Sequence, residues 1–555
     1  MYPLSRATLL DAAIAGAARL AEQQVVAPGD ALRGALIRPD WGIDDPTTSC
    51  GFVATAAMVC AGETALGRAP SATVTGLVDR AQLACAYVRR YQRPSGLVDL
   101  RDCNYDSSPD AGFLLQSLCA ALDLCRRYPP SHAGWEGLAR AAESLVRSMA
   151  PAMATGGFHT PNHRWVIASA LAQAQALYPD LRLQPALDAY LAEGFDIDDD
   201  GFFLERSVGV YDGICDRSLL LIAETTGRER ARAAAHRNLE ADLYLLHADG
   251  TCDSGLSRRQ DLGARTVPMG LAGPYLLAGL RDSAPLFVAA AERLWRAASA
   301  SGPVGDFWML HALLLCGDPP PERAPLPDDY ARWMRANGLW RVRRGALSAS
   351  FWRGSTRLMA LVSGEAELAA LRISQSYFGV GRFVADRMTV SGGRARMESD
   401  GLSRLHRPGY EQPLGRPVPP ERYEAVLPER AWRPAPPCAA VLDVEEAPGG
   451  FDLRFQSSAA LDRVTAQIAL DFSPGGWWET GDTATATAAG QTLFLKRGAG
   501  RMRYGHDVIE VGPGADEHRM VAMRDAEPAP AHARVVIALQ TPADHTLRIR
   551  CRREP

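Results

Sequence analysis

The sequence predicts an α+β, multidomain architecture: an N-terminal (α/α)6-type toroid followed by a C-terminal antiparallel β-sandwich. Three observations carry this. Up to residue 316 the 555-residue chain is built of alanine- and leucine-rich runs of helical length. A glycine turn followed by a polar and aromatic loop recurs between pairs of those runs. Beyond a proline-rich stretch, the apolar period drops from three or four residues to two.

The helical runs fall at 6–24, 50–65, 75–92, 110–127, 136–150, 163–178, 183–194, 214–226, 229–247, 268–281, 285–299 and 304–316. Apolar residues recur at three- and four-residue spacing, as in Leu115, Leu118, Leu122 and Cys125. Ser108-Pro109-Asp110 is a helix-start signal for the fourth run. Twelve runs make six hairpins, and six hairpins suggest a closed ring. The intervening loops begin at Trp41-Gly42, Gly96, Gly156-Gly157, Asp200-Gly201, Asp249-Gly250 and Gly302-Pro303. Gly157, Gly201, Gly250 and Gly302 lie 44, 49 and 52 residues apart, close to a repeat period. A ring of hairpins gathers such loops at one end, where a rigid scaffold usually carries its chemistry.

Residues 317–334, opening Gly317-Asp318-Pro319-Pro320-Pro321, are expected to be a linker between a 1–316 catalytic toroid and a 335–555 sandwich. Strand-like runs follow at 347–351, 357–362, 369–373, 439–444, 451–455 and 535–539. The proline-rich segment 413–437 is expected to be a long loop across the sandwich.

Composition narrows the function. The formal net charge is -4, which argues against wholesale nucleic-acid binding. An anionic ligand would have to be met by a local arginine cluster. Lys496 is the only lysine, so arginine position carries information and arginine number does not. The eleven cysteines are scattered, without a C-x-x-C pair, which points to buried, reduced thiols and no zinc site. The opening Met1-Tyr2-Pro3-Leu4-Ser5-Arg6 has no secretory pattern, and the alanine-rich residues 12–18 are too short to span a membrane. A cytoplasmic protein without membrane or nucleic-acid partners is the expectation.

Four loop clusters carry candidate chemistry. Asn104-Tyr105-Asp106 precedes the fourth helix, and Asn104 suits a substrate carboxylate or hydroxyl. Gly156-Gly157-Phe158-His159-Thr160-Pro161-Asn162-His163-Arg164-Trp165 brings an amide donor, two imidazoles and an aromatic face together. The next loop supplies Glu205, Arg206, Tyr211, Asp212 and Arg217, where arginine charge would favour the tyrosine's phenolate. Ser257-Arg258-Arg259-Gln260-Asp261 offers guanidinium groups for bidentate binding of a carboxylate.

An asparagine loop, an Asn-His loop, a tyrosine loop and an arginine loop, in that order and before a β-sandwich, resemble the (α/α)-toroid polysaccharide lyase superfamily. It includes the hyaluronate, chondroitin AC and xanthan lyases and the heparinase II/III-like enzymes. Asn104-Tyr105-Asp106 is similar to that family's Asn-aromatic-aromatic loop, with Asp106 replacing the second aromatic. Asn162-His163 resembles its histidine loop. Asp200-Gly201 through Tyr211-Asp212-Gly213 resembles its Asp-Gly…Tyr-x-Gly loop, and Ser257-Arg258-Arg259 its arginine loop.

The resemblance implies a carbon–oxygen lyase that needs no cofactor or metal and acts on an acidic oligosaccharide or polysaccharide. It would cleave a uronic-acid glycan by β-elimination. Asn104, Asn162 and an arginine, Arg258 or Arg259, would neutralise the carboxylate. His163 or Tyr211 would take the C5 proton, and Tyr211 would protonate the leaving oxygen. Trp41, Phe158, His159, Trp165, Glu205, Arg206, Arg259, His406 and Tyr410 are expected to bind substrate. Two other readings remain open. An inverting glycoside hydrolase would draw its two carboxyl groups from Asp44, Asp45, Asp106, Glu205 and Asp212. A non-catalytic glycan-binding protein would need neither set.

Overall fold

The computed structural model describes residues 2–401 and 408–555. The chain forms two compact units. One is Met1–Leu246 with Gly250–Pro327, and the other is Asp328–Pro555 with the short segment His247–Asp249. The second unit therefore begins inside the stretch expected as linker, whose end, Asp329–Met334, is an edge strand.

Twelve α-helices are present among the described residues of the first unit. They are α1 (Arg6–Ala21), α2 (Pro46–Ala65), α3 (Ala72–Tyr91), α4 (Ser108–Arg127), α5 (Trp135–Gly156), α6 (Pro161–Leu177), α7 (Gln184–Ala192), α8 (Tyr211–Thr226), α9 (Glu229–Leu243), α10 (Ala272–Arg281), α11 (Pro285–Ala298) and α12 (Phe307–Cys316). All twelve overlap the runs read from the sequence. Several start earlier than the apolar pattern does, because caps and first turns are polar. Ser107 caps α4 by accepting from the Asp110 N–H at 3.2 Å, and Asp45 caps α2 through Thr47 and Thr48 at 3.0 and 3.1 Å.

The even-numbered helices form the inner ring. Each packs on the next: α2 on α4, α4 on α6, α6 on α8, α8 on α10, α10 on α12. Contacts from α12 to α1, α2 and α4 close it. The odd-numbered helices α3, α5, α7, α9 and α11 cover the outside of their partners. Burial follows that division. In α6 every side chain from Asn162 to Ala174 is buried, whereas α5 buries one stripe, Leu138, Ala142, Leu145, Val146, Met149 and Met153. Every inter-hairpin loop leads into the N-terminus of an inner helix, so those loops share one end of the ring. No helix among the described residues is long and apolar enough to cross a membrane.

The second unit is a β-sandwich. Its eight-stranded sheet runs, in spatial order, Thr492–Phe494, Ala533–Gln540, Thr465–Phe472, Ala366–Gln375, Met359–Ser363, Leu347–Trp352, Leu339–Arg344 and Asp329–Met334. Pairing is antiparallel except between Thr492–Phe494 and Ala533–Gln540. A nine-stranded antiparallel sheet faces it across one core that includes Trp340, Phe351, Phe451, Phe455, Phe472 and Trp478. The proline-rich segment contains two 3₁₀ turns, Pro420–Arg422 and Glu424–Glu429. It also contains a short strand, Trp432–Pro434, paired with Gly409–Glu411.

Candidate active site

The site is assembled at the loop end of the helical ring, on the N-termini of α4, α6 and α8. The first turn of α6 has backbone donors with no partner inside the helix, and its cap residue Thr160 makes no side-chain cap. Glu205, from the loop before α8, supplies the acceptor instead. Its Oε2 takes the Asn162 backbone N–H at 3.0 Å, and its two oxygens take the Asn162 amide nitrogen at 3.0 and 2.8 Å. A carboxylate at a helix N-terminus also gains from the helix dipole. Glu205 Oε1 further pairs with the Arg259 guanidinium at 3.0 Å. One buried carboxylate thus ties the Asn-His loop to the arginine loop. Asn162 is fully buried, its amide hydrogens are committed to Glu205 and Thr160, and its Oδ1 is left without a partner.

Arg259 continues the network. Its guanidinium lies over the Tyr211 ring, 4.5 Å from the centroid, and its Nη2 is 3.3 Å from the phenol oxygen. Gln260 Nε2 donates to the same oxygen at 2.8 Å. Two donors, one of them cationic, thus fix the position of the phenol oxygen.

His163 sits one residue beyond Asn162, buried, with Phe113 edge-on at 6.1 Å and His159 at 4.6 Å. Burial, the neighbouring His159 and the Arg259 charge bring its pKa down to about 4, so the imidazole is neutral at physiological pH. Its Nδ1 is buried without a partner. Asn104 donates to Asp110 Oδ2 at 2.8 Å, and Ser107 donates to the same oxygen. Burial raises the Asp110 carboxyl, while its two donors and the nearby His159 oppose that.

The loops are held by a second carboxylate set. Asp261 accepts from Ser207 at 2.8 Å, from the Gly209 N–H at 3.2 Å, and from Ser257. Ser207 Oγ accepts the Tyr211 N–H at 3.2 Å, and Asp212 accepts the Ser207 N–H at 3.1 Å. Burial raises the Asp212 carboxyl well above the usual range.

The structure therefore brings together Asn104, His159, Asn162, His163, Glu205, Tyr211 and Arg259, with Gln260 as a group the sequence named only in passing. Other candidates are placed differently. Trp165 is 0% exposed, stacked on Phe195 at 5.3 Å with its N–H on Asp196, so it is core and presents no face to a sugar. Its helical spacing inside the apolar run of α6 was the available signal. Arg258 is exposed and lends the network only its backbone N–H, to the Glu205 carbonyl at 3.0 Å; Arg259 is the arginine against Tyr211. Arg206 has a left-handed backbone (φ 52°), and burial and the Arg258 charge lower its pKa. Trp41 carries Arg38 over its ring at 3.7 Å, and Phe158 is exposed, 5.8 Å from the Tyr190 ring. Tyr410 is exposed in the second unit, 5.4 Å from Phe378, while His406 lies outside the described residues. Among the described residues no group of three or more His, Cys, Asp or Glu side chains is arranged to hold a metal ion.

No protein-family model and no curated protein sequence matches the chain. Solved structures do. A heparinase III superposes with a TM-score of 0.54 at 10% identity, covering 97% of this chain and 84% of that one. The Streptomyces coelicolor A3 chondroitin AC lyase, in complex with chondroitin sulphate, gives a TM-score of 0.50 at 13% identity over 98% and 79%. A Paenibacillus xanthan lyase gives 0.55 at 10% identity, over 100% of this chain and 58% of that one. At such identities the shared property is the fold.

Proposed function

We propose that this chain, which has the toroid-plus-sandwich fold of the polysaccharide lyases, cleaves a uronic-acid-containing glycan by β-elimination. The observation that carries the reading is the Tyr211 phenol held by Arg259 and Gln260, with the neutral imidazole of His163 under the influence of the same Arg259 charge. A proton alpha to a carboxylate is acidic enough to remove only when the carboxylate charge is neutralised and the developing dianion is stabilised. Arg259 and Asn104 are the donors for that task. Asn162 contributes by holding Glu205, and so Arg259, in place.

The step balances without a cofactor. His163, already unprotonated, or Tyr211 takes the C5 proton. The C4–O4 bond breaks as the C4–C5 double bond forms, and Tyr211 gives its proton to the departing oxygen. The carboxyl groups a hydrolase would draw on have other engagements. Asp45 caps α2, Asp44 binds Arg101 and Tyr87, exposed Asp106 accepts from Ser95, Glu205 binds Asn162 and Arg259, and Asp212 is fully buried.

A reducing, cytoplasmic location belongs to the same proposal; it is supported by eleven cysteines outside any disulfide. The test is ultraviolet absorbance during incubation with uronate oligosaccharides. Appearance of the conjugated double bond is the expected result. Reducing ends released without that absorbance would replace this reading with hydrolysis, and no release of either kind would leave glycan binding.

A further inference from the structure

The end of the helical ring opposite the candidate active site holds a cavity of about 210 Å³. It is framed by the C-terminal turns of α4, α6 and α8 and by the second half of α12. Along α8 it begins at Leu221, ten residues beyond Tyr211, or about 15 Å of helix rise.

Two buried side chains line this cavity with hydrogen-bonding atoms unused. His311 of α12 is 3% exposed, and among the described residues neither ring nitrogen has a hydrogen-bond partner. Its ring stands edge-on to Trp308 at 5.7 Å. Burial and the charges of Arg127 and Arg281 bring its pKa down to about 3, so it is a neutral imidazole with one donor and one acceptor. Gln173 of α6 is 6% exposed and donates through Nε2 to the Ser169 carbonyl at 3.3 Å, which leaves its Oε1 open to the cavity. Thr225, half-buried on α8, adds a hydroxyl. Buried polar groups are nearly always hydrogen-bonded, and a few open ones converging on a cavity are the mark of a ligand site.

The surrounding charges select the class of ligand. Arg127 pairs with Asp123 at 2.8 Å, Arg126 donates to the Leu177 carbonyl at 2.8 Å, and Glu224 binds Arg281 at 2.6 Å and Arg232 at 3.2 Å. An anion in the cavity would meet Asp123, Glu224 and the negative ends of the framing helices. A cation would meet Arg126 and Arg127. An uncharged molecule escapes both penalties, and hydroxyl donors suit the helix C-termini. Ala120, Leu221 and Leu315 supply an apolar wall, which fits the C–H face of a sugar ring. The volume is below the about 300–1,000 Å³ of sites for drug-sized ligands, so the ligand is small.

We propose that this cavity binds one small uncharged polyhydroxy molecule, a free neutral monosaccharide or a sugar alcohol, with His311 and Gln173 as its hydrogen-bonding partners. The site is separate from the candidate active site and does not rest on the β-elimination reading.

The test is calorimetric titration of the full chain with glucose, galactose, mannose and sorbitol, one at a time. Saturable binding of at least one of them is expected. Preference for a pyranose over sorbitol assigns the site to sugars, and the reverse assigns it to sugar alcohols. His311→Phe keeps a ring and removes both nitrogens, and Gln173→Leu removes the amide. Each should weaken binding about tenfold or more. Glucuronate, a ligand for the candidate active site on the β-elimination reading, should bind wild type and His311→Phe equally. Absence of saturable binding by all four compounds overturns the proposal. So does unchanged affinity in both variants, or a loss in His311→Phe that falls on glucuronate instead. If the buried substitutions disturb folding, Ala176→Phe takes their place. Ala176 is exposed at the rim, and a phenyl ring there fills the mouth while His311 and Gln173 stay intact. It should weaken binding by the same factor at an unchanged melting temperature, and wild-type affinity in it would overturn the site.

Discussion

At the scale of single residues, the site depends on protonation states set by burial. His163 is neutral because it is enclosed and near positive charge, with a pKa of about 4 against an ordinary 6.5. A base of that kind stays available far into the acid range. We expect kcat/KM on a uronate oligosaccharide to hold down to about pH 5 and to fall as His163 protonates near 4. An acid limb near 6.5 would remove His163 from the role of base. The same shift has a sign for stability. Between about pH 6.5 and 4 the unfolded chain binds a proton that the folded chain excludes, so stability is full above 6.5 and declines toward 4, by about 3 kcal/mol for this group. Substitution of the two reacting groups, Tyr211→Phe and His163→Ala, should each lower turnover by about 10²–10⁴ with an unchanged circular-dichroism spectrum. Normal turnover in both would discard the site. Glu205 acts on neighbours: Glu205→Ala leaves Arg259 without its counter-charge and Asn162 without its acceptor. A loss of about 3–5 kcal/mol is expected from chemical denaturation.

At the scale of elements, the loops are positioned by backbone approaches that only small residues permit. Gly213 lies in the first turn of α8, two residues after Tyr211. A Cβ there would meet the Gly270 carbonyl carbon at 2.4 Å and the Leu271 nitrogen at 2.8 Å. Gly213→Ala should therefore push the start of α8 away from the 3₁₀ turn Met269–Leu271, at a cost of about 1–3 kcal/mol. Because Tyr211 opens that helix, kcat should fall as well. An unchanged melting temperature would show that the contact is softer than it looks. Asp261 works between loops, since it receives hydrogen bonds from Ser207, Gly209 and Ser257. The resemblance read from the sequence named the Tyr-x-Gly spacing, and the close approach supplies its physical reason.

At the scale of the molecule, the ring closes where α12 returns to α1, α2 and α4. Gly305, just before α12, lies against the backbone of α1, and a Cβ would fall 2.8 Å from the Ala13 nitrogen. Gly305→Val should weaken that closure and lower the melting temperature of the helical unit, with loss of turnover following loss of the ring. A wild-type melting curve would argue that closure contributes little. Cysteine reactivity offers an independent check on the whole fold. Burial raises the thiols of Cys50, Cys60 and Cys252 to about 12, whereas Cys103 is exposed. Brief alkylation of the folded protein should label Cys103 first. Rapid labelling of Cys50 or Cys60 would mean that the inner ring opens.

Much of this was legible in the sequence, and the reason is periodicity. Every helix of the ring overlaps a run visible as three- and four-residue apolar spacing, and each of the six strand-like runs falls on an observed strand, because burial on one side must repeat with the element's own period. The loop clusters were legible because glycine turns and polar aromatic residues interrupt that repeat. Their internal arrangement was not. Trp165 and Phe158 look alike as aromatic residues beside a glycine turn, yet one is core and the other exposed. Nothing local separates Arg258 from Arg259, since adjacent residues differ only in which way the folded loop turns them. That Glu205 would cap a helix forty-three residues away, and that Arg217 would meet Trp308 from across the ring, depend on contacts between segments far apart in sequence. The sequence by itself determined the elements, their order and the loops that carry the chemistry, because those follow from local pattern. The tertiary structure decided which side chains meet and which are buried, because those are properties of the space between elements.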